Sequence, residues 1–389
     1  MVRVSTRSQV PPFYAMAMGA LAEARQAQGH RVLHLEVGQP SGGAPAGARA
    51  AAADALTRRA LGYTTSPGLP ELRARIARHY DEWYGVAVDP RQVSVVGGAS
   101  GGFVLAFLAC FDVGSRVGLT EPGYPAYRNT LDALGCTAVG IPIGPQTGYR
   151  ITGAAIESAH RGSPLDGLII ASPSNPTGTQ LSDADMADVV ATCRRLGITL
   201  IADEIYHGIT YGARASTVLS HTDDVVVLNS FSKYFGMTGW RLGWIVAPPE
   251  LVEPIDRLAQ NLYICAPHVS QIAGLAAFDC SDELDARVVE FAEKRRVLLD
   301  GLDRAGLTDT APSDGAFYAY ADVSHLTVDS WALCREWLTD IDVAVTPGID
   351  FDPVRGNRFV RFSYAGSLDD VRGAAERIAA WTSARWDVR

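Results

Sequence analysis

Short apolar runs recur along this chain, separated by longer segments with helical spacing. Six of them predict strands, at Val93–Val96, Arg116–Leu119, Gly167–Ala171, Ile198–Ala202, Val225–Asn229 and Leu242–Ala247. Their apolar character is nearly continuous rather than alternating, which is the pattern of strands covered on both faces. They therefore predict an α/β fold with a largely parallel sheet layered by helices. Ser182-Asp-Ala-Asp185 has the residue types of a helix start, a hydroxyl followed three residues on by a carboxylate. Past about residue 276 the pattern changes. A long charged helix is predicted over Ser281–Ala305, then strands near Phe317–Ala321, Val343–Thr346 and Phe359–Phe362 mixed with helices. The first 45 residues, with Pro11-Pro12 and Gly42-Gly43, read as irregular chain. The expected organisation is an N-terminal segment 1–45 packing over the site and with the small domain, a large ligand-binding domain 46–275, and a small α+β domain 276–389.

Composition narrows the function class. The 389 residues are 47% hydrophobic and 20% charged, as in ordinary globular proteins, and are long enough for two cores. The formal charge of -9 and the lack of a basic tract argue against binding a phosphate backbone, which runs on clustered Lys and Arg. The N-terminus lacks an apolar signal core, and no run approaches the ~18 apolar residues of a membrane span, so a cytoplasmic protein is expected. Six cysteines stand far apart with no C-x-x-C pair, neither a metal framework nor a disulfide scaffold. His30-Arg-Val-Leu-His34 has i,i+4 spacing but lacks the Glu of H-E-x-x-H, and no metal is expected.

The sharpest chemical signal is Ser230-Phe-Ser-Lys233-Tyr-Phe-Gly-Met-Thr-Gly-Trp-Arg241. It sets one lysine among two serines and an arginine just past a predicted buried strand, where open α/β sheets place their ligands. A lysine amine can hold an aldehyde cofactor as a Schiff base, while hydroxyls, backbone amides and an arginine offset the charge of its phosphate. Pyridoxal 5′-phosphate (PLP) is such a cofactor. Asp203 closes another apolar run and needs a hydrogen-bonded or charged partner there; a pyridinium nitrogen would serve, as would the N-terminus of a following helix. Tyr206 could reach the same ligand, or be a packed aromatic. Ser172-Pro-Ser-Asn175-Pro-Thr-Gly178 is a turn signal whose Asn175 amide can also donate to a ring oxygen. Gly97-Gly-Ala99-Ser100-Gly-Gly102 follows a strand and opens a helix, so its amides can cradle a phosphate, although it fails the G-x-G-x-x-G spacing. Arg361 in Arg358-Phe-Val-Arg361-Phe-Ser could grip a carboxylate with two parallel hydrogen bonds or sit in a buried ion pair.

Together these residues resemble fold-type-I PLP enzymes, most closely the class I/II aminotransferases. The motifs Ser174-Asn-Pro-Thr-Gly178, Asp203-Glu-Ile-Tyr206, Ser230-Phe-Ser-Lys233, Gly239-Trp-Arg-Leu-Gly243 and Val360-Arg-Phe-Ser363 stand in that family's order and at its approximate separations. The resemblance implies that Lys233 is the Schiff-base lysine and proton shuttle, that Asp203 pairs with the pyridine nitrogen, and that Asn175 and Tyr206 bind the ring oxygen. Arg361 then takes the substrate α-carboxylate, and Gly38 lies beside the substrate. Ala99, Ser100, Ser230, Ser232 and Arg241 match phosphate-site positions, and Tyr124 the aromatic that stacks on the ring. Tyr63 matches a tyrosine lent by a neighbouring subunit to the phosphate, implying a homodimer. Two segments depart from the family's commoner forms: Ala99-Ser-Gly-Gly-Phe103, without Gln-Ala or Thr-Gly-Ala, and Gly38-Gln-Pro-Ser-Gly-Gly-Ala-Pro45, without Asp-Phe after its first proline.

The implied reaction is transamination between an L-amino acid and a 2-oxo acid by a ping-pong cycle. A carbon–sulfur β-lyase on the same scaffold is the alternative. A PLP-binding regulator is more remote, since the family-like region begins near residue 10 and leaves no room for a DNA-binding module. Phe13, Tyr14, Met16 and Tyr127 fall in segments that border the side-chain pocket in the resembling enzymes. They predict neutral, mainly apolar substrates, unless Arg31, Arg128 or a partner arginine supplies a second cation.

Overall fold

The computed structural model describes residues 2–386, so Met1 and the last three residues of the 276–389 range lie outside the described residues. Seven strands form the main sheet, in the order Val93–Val96, Gly243–Val246, Val226–Ser230, Thr199–Asp203, Gly167–Ala171, Arg116–Glu121 and Thr137–Pro142. All run parallel except Gly243–Val246, which is antiparallel to both its neighbours. The continuous apolar runs now have a physical reading, because successive side chains of a strand feed opposite cores. Leu168, Ile170, Leu200, Val227 and Trp244 pack on one side of the sheet. Ile169, Ile201, Val226, Leu228 and Ile245 pack on the other, beneath the helix Gly98–Cys110. That helix lies close to the sheet at Gly102, where a Cβ would come 3.0 Å from Leu228 Cδ2.

The Ser182 signal opens the helix Asp183–Leu196 as a reciprocal capping box, and Gly197 ends it in the left-handed region at φ 66°. A second, antiparallel sheet joins Thr346–Pro347, Phe359–Ser363 and Tyr318–Asp322. The charged helix spans Ser281–Arg304 and packs against Leu368–Trp386.

Two expectations are corrected. The first 45 residues are not irregular throughout: Tyr14–Gln26 is a helix, and Leu33–His34 pairs in parallel with Val343–Ala344. The helix is built from strong helix formers, Ala and Met, and buries Met18 and Ala22 one turn apart. The edge strand Thr137–Pro142 has no counterpart among the six predicted runs. It is mixed in burial and carries Gly140 and Pro142, composition that an edge tolerates and a buried run does not.

The strand ends position the chemistry. Asp203 and Ser230 are the last residues of adjacent parallel strands, and the loops after Glu121, Ala171 and Ser230 carry Tyr124, Asn175 and Lys233. These carboxyl ends face one edge of the sheet.

Candidate active site

Two adjoining cavities, of about 190 Å³ and 280 Å³, open at that edge and share Gly38, Tyr124, Tyr127, Asp203 and Lys233. Asn175, Tyr206 and Arg361 line the first. Ala99, Ser100, Ser230, Ser232 and Arg241 line the second. Among the residues selected for cofactor and α-carboxylate binding, Tyr63 alone lines neither; it is 80% exposed on the surface of the chain.

Lys233 stands between the two cavities. Its Nζ donates to Gly38 O at 2.7 Å and lies 5.7 Å from the ring centroids of Tyr206 and Phe317. Burial, reinforced by Arg361, lowers its pKa to about 8 against the opposing pull of Asp203, so a sizeable neutral fraction exists near neutrality. Gly38 is where a side chain cannot stand: a Cβ there would fall 1.8 Å from the Tyr318 hydroxyl.

Asp203 is 3% exposed. Tyr127 donates its hydroxyl to Oδ2, and Ile205 N donates to Oδ1 at 3.1 Å. Burial raises its pKa to about 6, a rise that these two bonds and Lys233 limit. No α-helix begins after Asp203, since 205–208 form a turn, which removes the helix-cap alternative. Tyr206 is buried with its hydroxyl 2.8 Å from that of Tyr318.

Arg361 is 4% exposed, stacked 4.5 Å over Tyr318 and 4.8 Å over Phe351. Its Nη1 donates to Asn175 Oδ1 at 3.0 Å and its Nη2 to Glu36 O and Thr346 Oγ1. These partners are neutral, and Nε has none. The ion-pair alternative thus has no carboxylate partner among the described residues. A buried guanidinium with neutral partners and a free N–H is a receptor for an anion entering the cavity.

At the far end, Ser230 and Ser232 hydroxyls lie 2.9 Å apart. Arg241 adopts the left-handed region at φ 50° and lays its guanidinium over the start of the helix Gly98–Cys110, so that a Cβ on Gly98 would come 2.5 Å from Nη2. Backbone strain on a non-glycine residue and a guanidinium against a helix N-terminus make a cationic cradle suited to an anion. The donor set fits PLP along its length: cradle for the phosphate, Asp203 for the ring nitrogen, Lys233 for the aldehyde.

Several lining residues carry no local sequence signal, among them Tyr318, Phe351, Glu36 and Asp350. They come from separate elements, and only the tertiary structure brings them to the cavity. Tyr14, selected for the apolar wall, instead packs edge-on against Trp331 with centroids 5.3 Å apart, whereas Phe13, Ala15 and Met16 line the cavity. Arg31 pairs with Asp370 at 3.7 Å, and Arg128 donates to Asp350 O at 3.3 Å; neither lines the cavity.

Residues 30–378 match the family described as Aminotransferase class I and II. The chain belongs to that family. Its members depend on PLP. The aminotransferase is 48% identical over 383 residues to a valine–pyruvate aminotransferase of Mycobacterium tuberculosis, covering 97% of this chain and 98% of that one. A crystal structure of an aminotransferase from Mycobacterium tuberculosis superposes with TM-score 0.96 at 47% identity, over 99% of this chain and all of that one. Thermus thermophilus aspartate aminotransferase with maleate superposes with TM-score 0.92 at 27% identity, over 98% of this chain and all of that one. Among the described residues no helix is long and apolar enough to cross a membrane.

Proposed function

We propose that this aminotransferase moves an amino group between a neutral, mainly apolar L-amino acid and a 2-oxo acid that is likewise monocarboxylic, in a ping-pong cycle. The observation that carries this reading is Arg361: one buried, neutrally partnered guanidinium in a cavity whose apolar wall is Phe13, Ala15, Met16, Val37 and Phe351. It can bind one carboxylate and leaves no second cation for another. The name of the valine–pyruvate relative points the same way.

Bound PLP supplies an electron sink for the pair of electrons left when the α-proton departs. Lys233 is the covalent anchor, and its freed Nζ is the base that removes and returns that proton. Asp203 as carboxylate keeps the ring nitrogen protonated. Asn175 and Tyr206 hold the ring oxygen, and Tyr124 covers the ring. Ala99, Ser100, Ser230, Ser232 and Arg241 bind the phosphate. Gly38 and Asn175 join Arg361 around the substrate's α-carbon. Tyr63, exposed in one chain, is read as completing the phosphate site of a second copy in a homodimer. The division of the chain at 45 and 275 belongs to the same reading.

A panel of amino acids scored by loss of the enzyme-bound PLP absorbance tests it. Valine, alanine, leucine, methionine and phenylalanine are expected to convert the cofactor stoichiometrically to its amino form, with higher kcat/KM than aspartate or glutamate. Ammonia and pyruvate from cystathionine, without that conversion, would instead establish the β-lyase.

A further inference from the structure

The substrate cavity holds an acid with no place in the chemistry described so far. Asp350 lines it at 4% exposure. Its Oδ2 accepts from Ala15 N at 3.2 Å, in the first turn of the helix Tyr14–Gln26, where a carboxylate is favourable. Ala15 and its neighbour Met16 form the wall that a substrate side chain would meet, together with Phe13, whose ring lies 5.8 Å from Tyr124. The carboxylate is therefore anchored beside the side-chain end of the cavity.

The cations near it, Arg361 and Arg128, both act electrostatically on the Asp350 carboxylate itself, and neither is a spare partner for a second substrate carboxylate. Lys233 and Arg361 are the basic side chains lining this cavity, and both have roles at the α-carbon. Arg128 is bound to the Asp350 carbonyl outside it. A second acid, Glu36, is 2% exposed, with Oε1 2.8 Å from His34 Nδ1 and Oε2 unpartnered. Like charges brought together repel more strongly the more completely water is excluded around them.

We propose that Asp350 is a specificity-determining residue: its carboxylate, fixed at the start of the helix Tyr14–Gln26, rejects amino acids and 2-oxo acids that carry a second carboxylate. This deepens the neutral-substrate reading and rests on it. Asp350→Asn removes the charge and keeps an oxygen for Ala15 N. Asp350→Ser keeps a neutral capping oxygen on a shorter side chain and serves if the first variant does not fold.

The experiment measures kcat/KM for glutamate and valine, and the Kd of maleate, a non-reacting dicarboxylate, by spectral titration of the PLP-loaded enzyme. The expected result is a rise of about tenfold or more in the glutamate-to-valine ratio and a comparable tightening of maleate in the neutral variant. A merely structural role would not raise that ratio. An unchanged ratio and unchanged maleate Kd, in an enzyme that prefers valine as wild type, overturn the assignment to Asp350 alone. A wild-type enzyme that prefers glutamate overturns the neutral-substrate reading, and this proposal with it.

Discussion

Arg361 Nη1 donates to Asn175 Oδ1 at 3.0 Å, joining a strand of the small sheet to the loop that leaves the main sheet after Ala171. The bond consumes the amide oxygen and leaves the Asn175 NH₂ as the group able to donate to a ligand. One hydrogen bond thus orients two side chains, an anion receptor and a ring-oxygen donor. Arg361→Lys would forfeit both the planar fork and this bond. We expect kcat/KM for valine to fall by about 10²-fold, by analogy with the 2–5 kcal/mol lost on breaking buried charged pairs. Most of the loss should appear in KM, and PLP should stay bound. Steady-state kinetics with a PLP absorbance spectrum check both.

Lys233→Ala should abolish turnover by ~10³-fold or more while leaving the melting temperature near that of the wild-type apo-enzyme, because a general base and the covalent anchor are lost together. The lowered pKa of Lys233, about 8, adds a pH dependence in the apo-enzyme. Only the neutral amine attacks an aldehyde, and a base with pKa near 8 becomes neutral as pH rises through that value. The rate of covalent PLP capture should therefore climb roughly tenfold from pH 7 to pH 9. Stopped-flow absorbance reads it, and a flat profile would contradict the assignment.

Tyr127→Phe removes the hydroxyl that donates to Asp203 Oδ2. The buried carboxylate would then be held less firmly in its charged form, and its pKa should rise further from about 6. PLP affinity should weaken by roughly tenfold, the scale of ~1–3 kcal/mol for an unsatisfied buried acceptor. Asp203→Ala should weaken it more. Equilibrium dialysis of PLP from the two variants gives the order.

Gly38→Ala is expected to destabilise the fold by about 1–3 kcal/mol, since its Cβ would overlap the Tyr318 hydroxyl and the backbone must move. The displaced Gly38 carbonyl would also leave Lys233 Nζ. A lower melting temperature should be matched by partial recovery in Gly38→Ala/Tyr318→Phe, which removes the hydroxyl but leaves ring carbon Cζ 2.7 Å from the new Cβ.

Tyr63→Phe should weaken PLP retention only in an assembled dimer, because in one chain the residue lies outside both cavities. Sedimentation velocity with parallel PLP measurement tests the link. A fully active monomer would remove Tyr63 from the site.

The sequence by itself determined six of the main sheet's seven strands, because nearly continuous apolar runs feed cores on both faces, and it marked Lys233, Asp203 and Asn175 by their place at or after the ends of those runs and Arg361 as a charge within an apolar strand. Local chemistry was enough there: a charged or amide group at the end of a buried strand has few explanations. It did not reveal the helix Tyr14–Gln26, which follows Pro11-Pro12 and starts at Phe13 without a side-chain cap, so that its start carries no local signal. Nor did it show that Tyr127 serves Asp203, or that Tyr318 stands against Gly38. Those relationships join residues 76 and about 280 positions apart. The tertiary structure also decided the character of the cavity: it drew Arg128 to the Asp350 carbonyl and turned the Asp350 carboxylate to the helix that forms the wall. Whether an arginine neutralises a substrate or a neighbouring backbone depends on distances of a few ångströms, and charge interactions that steep in distance are set only when the chain has folded.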